Sequence, residues 1–180
     1  MSYVDILATA KKYGVIYADP PWAYENRASQ GAAHKHYPTM GLGELTSIPI
    51  DRIAADDCIL FLWVTWPQLP MARHLAPPKF AYKTCGFVWV KTDKAGKPIM
   101  GLGNYTRSNT EICLIFAKGR PQILDHGINQ LIYAQRRAHS QKPDEVRDLI
   151  SRLCGDVPKI ELFARERVPG WDCWGDDPLL

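Results

Sequence analysis

The sequence predicts an α/β fold, an open sheet with helices packed on both faces. Three observations predict it. Six or seven short apolar runs recur along the 180 residues, interleaved with helix-like stretches. Several of these runs are apolar throughout instead of alternating, as strands covered on both faces are. Proline, glycine and polar residues punctuate their ends, where chain reversals fall.

Residues 3–12 read as a short helix or an arm. Residues 14–18, Gly-Val-Ile-Tyr-Ala, read as a buried strand. Asp19-Pro20-Pro21-Trp22 follows. Pro20 has no N–H for a ladder and biases Asp19 toward extended backbone, so the strand ends there. Residues 23–38 are small and polar with no apolar period, a loop closing on His34, Lys35, His36 and Tyr37. Residues 43–55 read as short helical pieces broken at Pro49. The run 58–65 is a central strand. A helical stretch follows to about Leu75, and Pro77-Pro78 stops it.

Residues 80–92 read as one strand, or two with a kink at Gly86. Asp93, Gly96 and Pro98 mark an exposed turn. Residues 101–109 form a glycine-bearing polar loop. No GK[ST] follows it, so it is not a phosphate loop. Residues 111–117 are another strand. Residues 119–141 are irregular, with a short strand near 130–134. A helix is predicted from Pro143 to about Leu153. Its stripe is Val146, Leu149, Ile150 and Leu153; acids sit at its start and Gly155 at its end. The last predicted strand is 157–164, with Arg165-Glu166-Arg167 at its carboxyl end, where open α/β sheets bind ligands.

Composition excludes several classes. There is no stretch of about 18 apolar residues, and no signal peptide is read. The five cysteines are scattered without a CxxC pair, which suggests neither a zinc site nor a disulfide framework and fits a reducing cytoplasm. His34 and His36 lack a third ligand, so no metal is expected. The net charge of +3 conceals a gradient: residues 71–123 carry nine Lys/Arg and two acids, while both flanks are slightly acidic. A basic middle segment suits either a polyanion-facing surface or an ordinary solvated face.

An acid at a strand tip, two stiff residues and an aromatic make a site for an amine on a flat ring. Asp19 can accept one N–H and the Pro20 carbonyl the other, while Trp22 or a later aromatic stacks on the ring. Such acceptors would aim the nitrogen lone pair and stabilise charge developing on it. The alternative is a rigid turn with Trp22 as packing.

Asp19-Pro20-Pro21-Trp22 resembles the signature of the MT-A-type adenine-N6 methyltransferases, the family of the catalytic subunit of the mRNA adenosine methyltransferase. The similarity continues, in order, through Tyr37-Pro38-Thr39-Met40, Leu60-Phe61-Leu62-Trp63-Val64-Thr65 and Trp89-Val90-Lys91-Thr92. It extends through Lys142-Pro143-Asp144-Glu145, Lys159-Ile160-Glu161-Leu162-Phe163-Ala164-Arg165, and Gly170-Trp171 with Gly175. The length resembles that of small bacterial or phage members. The resemblance implies a single methyltransferase domain over residues 1–180, with a Rossmann-like sheet in permuted order, the catalytic strand first. It implies S-adenosylmethionine as cofactor and adenine in nucleic acid as substrate, DNA ahead of RNA.

Carried onto this chain, the catalytic set is Asp19, Pro20, Pro21, Trp22 and Tyr37. Cofactor contacts are Asp19, Lys142 (methionine carboxylate), Arg165, Glu166 and Arg167 (ribose side), and Asp176 and Asp177 (ribose or adenine). The two acids stand where the family commonly has an amide pair, and Arg167 where some members have histidine. The other reading of Arg165 and Arg167 is a surface ion pair with Glu161 or Glu166. Substrate contacts are His36, Tyr37, Lys91, Asn104, Arg107 and Asn109. The family's habit of pairing implies a homodimer or a related partner subunit, with no membrane and a cytoplasmic location in a bacterial or phage-infected cell. A non-catalytic nucleic-acid-binding subunit of the same fold is the competing reading; such members lose the acid or the aromatic of the signature, and both are present here.

Overall fold

The 14–18 run and its apolar counterparts assemble into one seven-stranded sheet. A computed structural model describes residues 2–23, 39–101, 103, 105–137 and 141–175. The strands are β1 (Tyr13–Ala18), β2 (Ala54–Val64), β3 (Ala81–Thr92), β4 (Thr110–Lys118), β5 (Leu131–Gln135), β6 (Lys159–Leu162) and β7 (Asp172–Trp174). Their order across the sheet is β5-β3-β4-β2-β1-β6-β7. β4 runs antiparallel to both of its neighbours, and every other pairing is parallel. The amino end of β4 therefore lies at the same edge as the carboxyl ends of the other strands.

The continuous apolar runs are explained by two cores, one on each face. Ile16, Ala18, Leu60, Leu62 and Val64 point into the first, beneath α1 (Leu42–Thr46), α2 (Ile50–Ile53) and α3 (Leu69–Leu75). Val15, Tyr17, Ile59, Phe61 and Trp63 point into the second, against α4 (Glu145–Cys154). Alternate residues of a strand face opposite ways, so a strand covered twice must be apolar at every position. α4 buries Val146, Ile150 and Cys154, and Gly155 ends it at φ 73°.

Two alternatives the sequence left open are settled, and one strand is added. Residues 3–12 are an arm, not a helix: Val4 N–H reaches the Cys173 carbonyl at 2.9 Å, and a turn stands at residues 6–8. Residues 80–92 form one strand, with the ladder shifting register between Cys85 and Phe87. A Cβ on Gly86 would stand 2.7 Å from Ile115, so the glycine admits that side chain at the irregularity. The chain also adds β7 after the strand that sequence reading took as last. Three residues between Trp171 and Gly175 are too short to show a period. None of the helices among the described residues is long and apolar enough to cross a membrane.

Candidate active site

Asp19 is the first residue past β1, in the middle of the sheet. The ladder pairs Ala18 with Leu62 of β2 and Leu162 of β6, so Asp19 stands level with Trp63 and Phe163. Tyr17 points into the second core, and Asp19, two residues on, emerges on the same side. Both of its oxygens accept from Lys142 Nζ at 2.7 Å. Lys142 precedes α4 and keeps 9% of its side chain exposed, against 20% for Asp19.

Lys142 is shared. Its ammonium is 3.2 Å from Glu111 Oε2, and Glu111 Oε1 is 2.5 Å from Lys91 Nζ. The four residues form an alternating chain of charge, Asp19–Lys142–Glu111–Lys91, drawn from the ends of β1, β4 and β3 and the approach to α4. Glu111 reaches this edge because β4 is antiparallel. The indole of Trp63 forms the floor, with Lys142 Nζ 5.6 Å from its ring centroid. The Trp63 Nε1–H donates to Tyr17 Oη at 2.7 Å, fixing the ring.

The electrostatics follow from burial and from that sharing. Burial pushes the Asp19 carboxyl above its usual range, against the pull of Lys142, and the charge of Glu111 adds to the push. Burial also opposes the charge on Glu111, but Lys142 and Lys91 together hold its carboxyl below the usual range. Burial works against the Lys142 ammonium, yet its two carboxylates more than offset this and hold it protonated well above the ordinary lysine range. Lys142 is held cationic, and the Asp19 carboxyl holds a proton more readily than an ordinary aspartate.

The Pro20 carbonyl is not wholly available. It accepts the Trp22 N–H at 2.9 Å in a tight turn, leaving one lone pair. The Pro21 carbonyl takes the Met40 N–H at 2.8 Å. Trp22 is 6% exposed, packs in the first core and donates its indole N–H to the Trp63 carbonyl at 3.1 Å. Its ring therefore packs inside the protein and offers no open stacking face. Its bonds hold the turn that carries Asp19.

The turn after β6 is the other half of the edge. Phe163 takes φ 62°, unusual for a bulky residue, and its ring packs on Trp174 at 5.6 Å. A Cβ on Gly175 would fall 2.6 Å from the Ala164 nitrogen, so the β7 end closes directly on the β6 end. Arg165, Glu166 and Arg167 are exposed just beyond, and Arg165 is close enough to Asp19 to favour its ionised form. The partner of Glu161 is Arg147, a residue sequence reading missed. Its guanidinium meets Glu161 at 2.7 and 3.1 Å and reaches Glu166 at 3.1 Å. Arg147 thus ties α4 to β6 and to the turn bearing the two arginines.

Among the substrate candidates, Lys91 belongs to the charge chain, and its amide donates to the Asn109 carbonyl at 2.9 Å. Arg107 is exposed. His36, Tyr37, Asn104, Asp176 and Asp177 lie outside the described residues. The basic 71–123 segment is divided between the two edges of the sheet. Lys79 and Lys118 pair with Asp51 at the far edge, whereas Lys91 belongs to the site. Glu111 was also missed, although a lone acid opening a buried apolar run is a signal that a cation must meet it.

A mixed sheet with an acid-Pro-Pro-aromatic turn at its centre, and a lysine clamping that acid, defines a methyltransferase of the adenine-N6 class. The MT-A70 family model matches residues 13–177, and the chain belongs to that family. It is 40% identical over 187 residues to the type II methyltransferase M.MunI of Mycoplasma sp, covering 92% of this chain and 77% of that one. It is 32% identical over 170 residues to an N(6)-adenosine-methyltransferase MT-A70-like protein of Drosophila melanogaster, covering 92% and 27%. To the N(6)-adenosine-methyltransferase catalytic subunit METTL3 of Homo sapiens it is 31% identical over 179 residues, covering 97% and 29%. The chain thus spans most of the Mycoplasma protein and under a third of the two animal proteins.

Proposed function

We propose that residues 1–180 act as one methyltransferase domain that methylates the N6 amine of adenine in DNA, with S-adenosylmethionine as donor. The observation that carries the proposal is the Asp19 carboxylate, fixed at the sheet's centre by two 2.7 Å bonds from Lys142. The similarity to M.MunI supports DNA over RNA. The chemistry of the edge suits this cofactor. Lys142 adds positive charge at this edge while its N–H groups meet Asp19 and Glu111, Arg165 offers a second cation for an amino-acid carboxylate, and the exposed 165–167 turn, pinned by Arg147 and closed on by Gly175, supplies further donors. When bound, S-adenosylmethionine supplies a methyl group on a sulfonium, an electrophile the protein lacks.

The protein's own part is positioning. Each Asp19 oxygen keeps a lone pair after accepting from Lys142, so the carboxylate can also accept an amine N–H. The remaining lone pair of the Pro20 carbonyl can accept the second. Two acceptors at fixed positions aim the nitrogen lone pair outward and stabilise its growing positive charge. Lys142 keeps Asp19 from rotating, and Glu111 keeps Lys142 in place. With its carboxyl raised by burial, Asp19 is suited to take the proton the nitrogen sheds. An adenine within a duplex must first leave the stack, at a cost of a few kcal/mol, and a single strand avoids that cost.

The test is methyl transfer from labelled S-adenosylmethionine to single-stranded DNA, duplex DNA and RNA, with product nucleosides separated by mass. N6-methyldeoxyadenosine in a DNA product is expected. Methylation of RNA alone would overturn the DNA assignment, and methylation at any other position would overturn the reaction.

A further inference from the structure

Trp66 stands apart from the other tryptophans. Trp22, Trp63, Trp89 and Trp171 are 6% exposed or less and Trp174 is half-buried, whereas Trp66 is 48% exposed. Exposing a large aromatic forfeits burial that the other rings obtain. Trp66 is nonetheless held. Its Nε1–H donates to Thr110 Oγ1 at 2.8 Å, and Pro67 behind it stiffens a single 3-10 turn of residues Trp66–Gln68. That turn is tied to the catalytic turn, because Gln68 Nε2 donates to the Ala23 carbonyl at 3.0 Å, one residue past Trp22.

The position is as telling as the exposure. In the β2–β4 ladder Val64 faces Ile112, so Trp66 and Thr110 lie two residues further out, past the edge that carries Asp19. Thr110 is the neighbour of Glu111 in the charge chain, and Arg107 is exposed three residues before it. A fixed aromatic face, held by a threonine whose chain leads back to an exposed arginine and next to the site of a base-modifying enzyme, has the chemistry of a single-strand stacking platform.

We infer that Trp66 stacks on the nucleobase adjacent to the target adenine and so positions the strand at Asp19. The inference rests on the nucleic-acid reading above and adds a contact to it. Stacking needs only a π-face, so the contact is tolerant of sequence but requires that a neighbouring base be present. It is a binding contact made before and during the reaction, so it acts on KM more than on kcat.

The test compares wild type, Trp66→Ala and Trp66→Tyr on two single-stranded oligonucleotides, each with one adenine. One oligonucleotide is ordinary, and in the other the residues on both sides of the adenine are abasic. Affinity is read by fluorescence anisotropy, and KM and kcat by methyl transfer. On the ordinary strand, Trp66→Ala should raise Kd and KM about tenfold, and Trp66→Tyr should recover most of the loss. On the abasic strand the wild type should fall to the level of Trp66→Ala, and the two should become equal. S-adenosylmethionine affinity should be the same in all three proteins, and each should be folded at the assay temperature.

An unchanged KM in Trp66→Ala, or an equal loss on both strands, would overturn the stacking role while leaving the methyltransferase reading intact. A shift in sedimentation of Trp66→Ala without a change in strand affinity would reassign the ring to a protein contact and overturn the inference. Failure of the wild type to bind or methylate any strand would overturn the nucleic-acid reading, and this inference with it.

Discussion

Replacing Lys142 by methionine removes a cation shared by two largely buried carboxylates. Asp19 and Glu111 keep only 20% and 13% of their side chains exposed, so water replaces the ammonium only in part. Glu111 retains Lys91 at 2.5 Å, and the loss therefore falls mainly on Asp19. Removing one partner of a buried pair costs about 3–5 kcal/mol. For a chain of this length each kcal/mol lowers Tm by about 2–4 °C, so the lower figure corresponds to about 6–12 °C. The pH dependence separates this cause from lost packing. In the wild type the folded-state lysine value is raised, so its contribution is complete below the unfolded value, about 10.4, and constant between pH 5 and 8. In the variant the Asp19 carboxyl moves further above its unfolded value of about 3.9. A raised carboxyl weakens the folded state when ionised, and the penalty fades as pH falls through the folded-state value, where the native protein binds the proton first. The Tm deficit should therefore be larger at pH 8 than at pH 5, by thermal melts followed in the far ultraviolet. An equal deficit at both pH values, or one below about 2 °C, would refute the reasoning.

Two further outcomes follow from the two halves of the edge. Gly175→Ala forces a Cβ against the Ala164 backbone at 2.6–2.8 Å. It should cost about 1–3 kcal/mol of stability by chemical denaturation, and calorimetry should show weaker S-adenosylmethionine binding because the turn bearing Arg165 is displaced. Charge reversal at Lys94, Lys97 and Arg107 should flatten the dependence of log K on log salt for single-stranded DNA by about 2 or more, at about 0.7 for each phosphate no longer neutralised. An unchanged slope would mean that these side chains face solvent.

The sequence disclosed what depends on near neighbours. The runs at 14–18 and 58–64 carry no charge because both faces are covered, and β1 and the inner part of β2 lie there. The stripe on α4 was legible for the same reason: Val146 and Ile150 face the second core. Asp19 was legible because proline fixes where its strand ends. What depends on chain reversal was not. Glu111 meets Lys142 only because β4 runs antiparallel, and no spacing along the chain encodes that. Arg147 lies off the apolar stripe of α4, yet its side chain is 11% exposed against Glu161, a pairing set by where α4 meets β6. β7 has three residues, and its pairing with β6, not its composition, makes it a strand.

The most direct test of the central claim is Asp19→Asn, which keeps the size of the side chain and removes its charge. The readouts are S-adenosylmethionine binding by calorimetry and N6-methyldeoxyadenosine formation by mass spectrometry, both beside the wild type. The account predicts that the cofactor still binds while kcat falls by a factor of about 10²–10³, the scale of losing one positioned electrostatic group in a dry site. Methyl transfer at the wild-type rate would contradict it, because the carboxylate that Lys142 holds at the end of β1 would then have no part in receiving the amine.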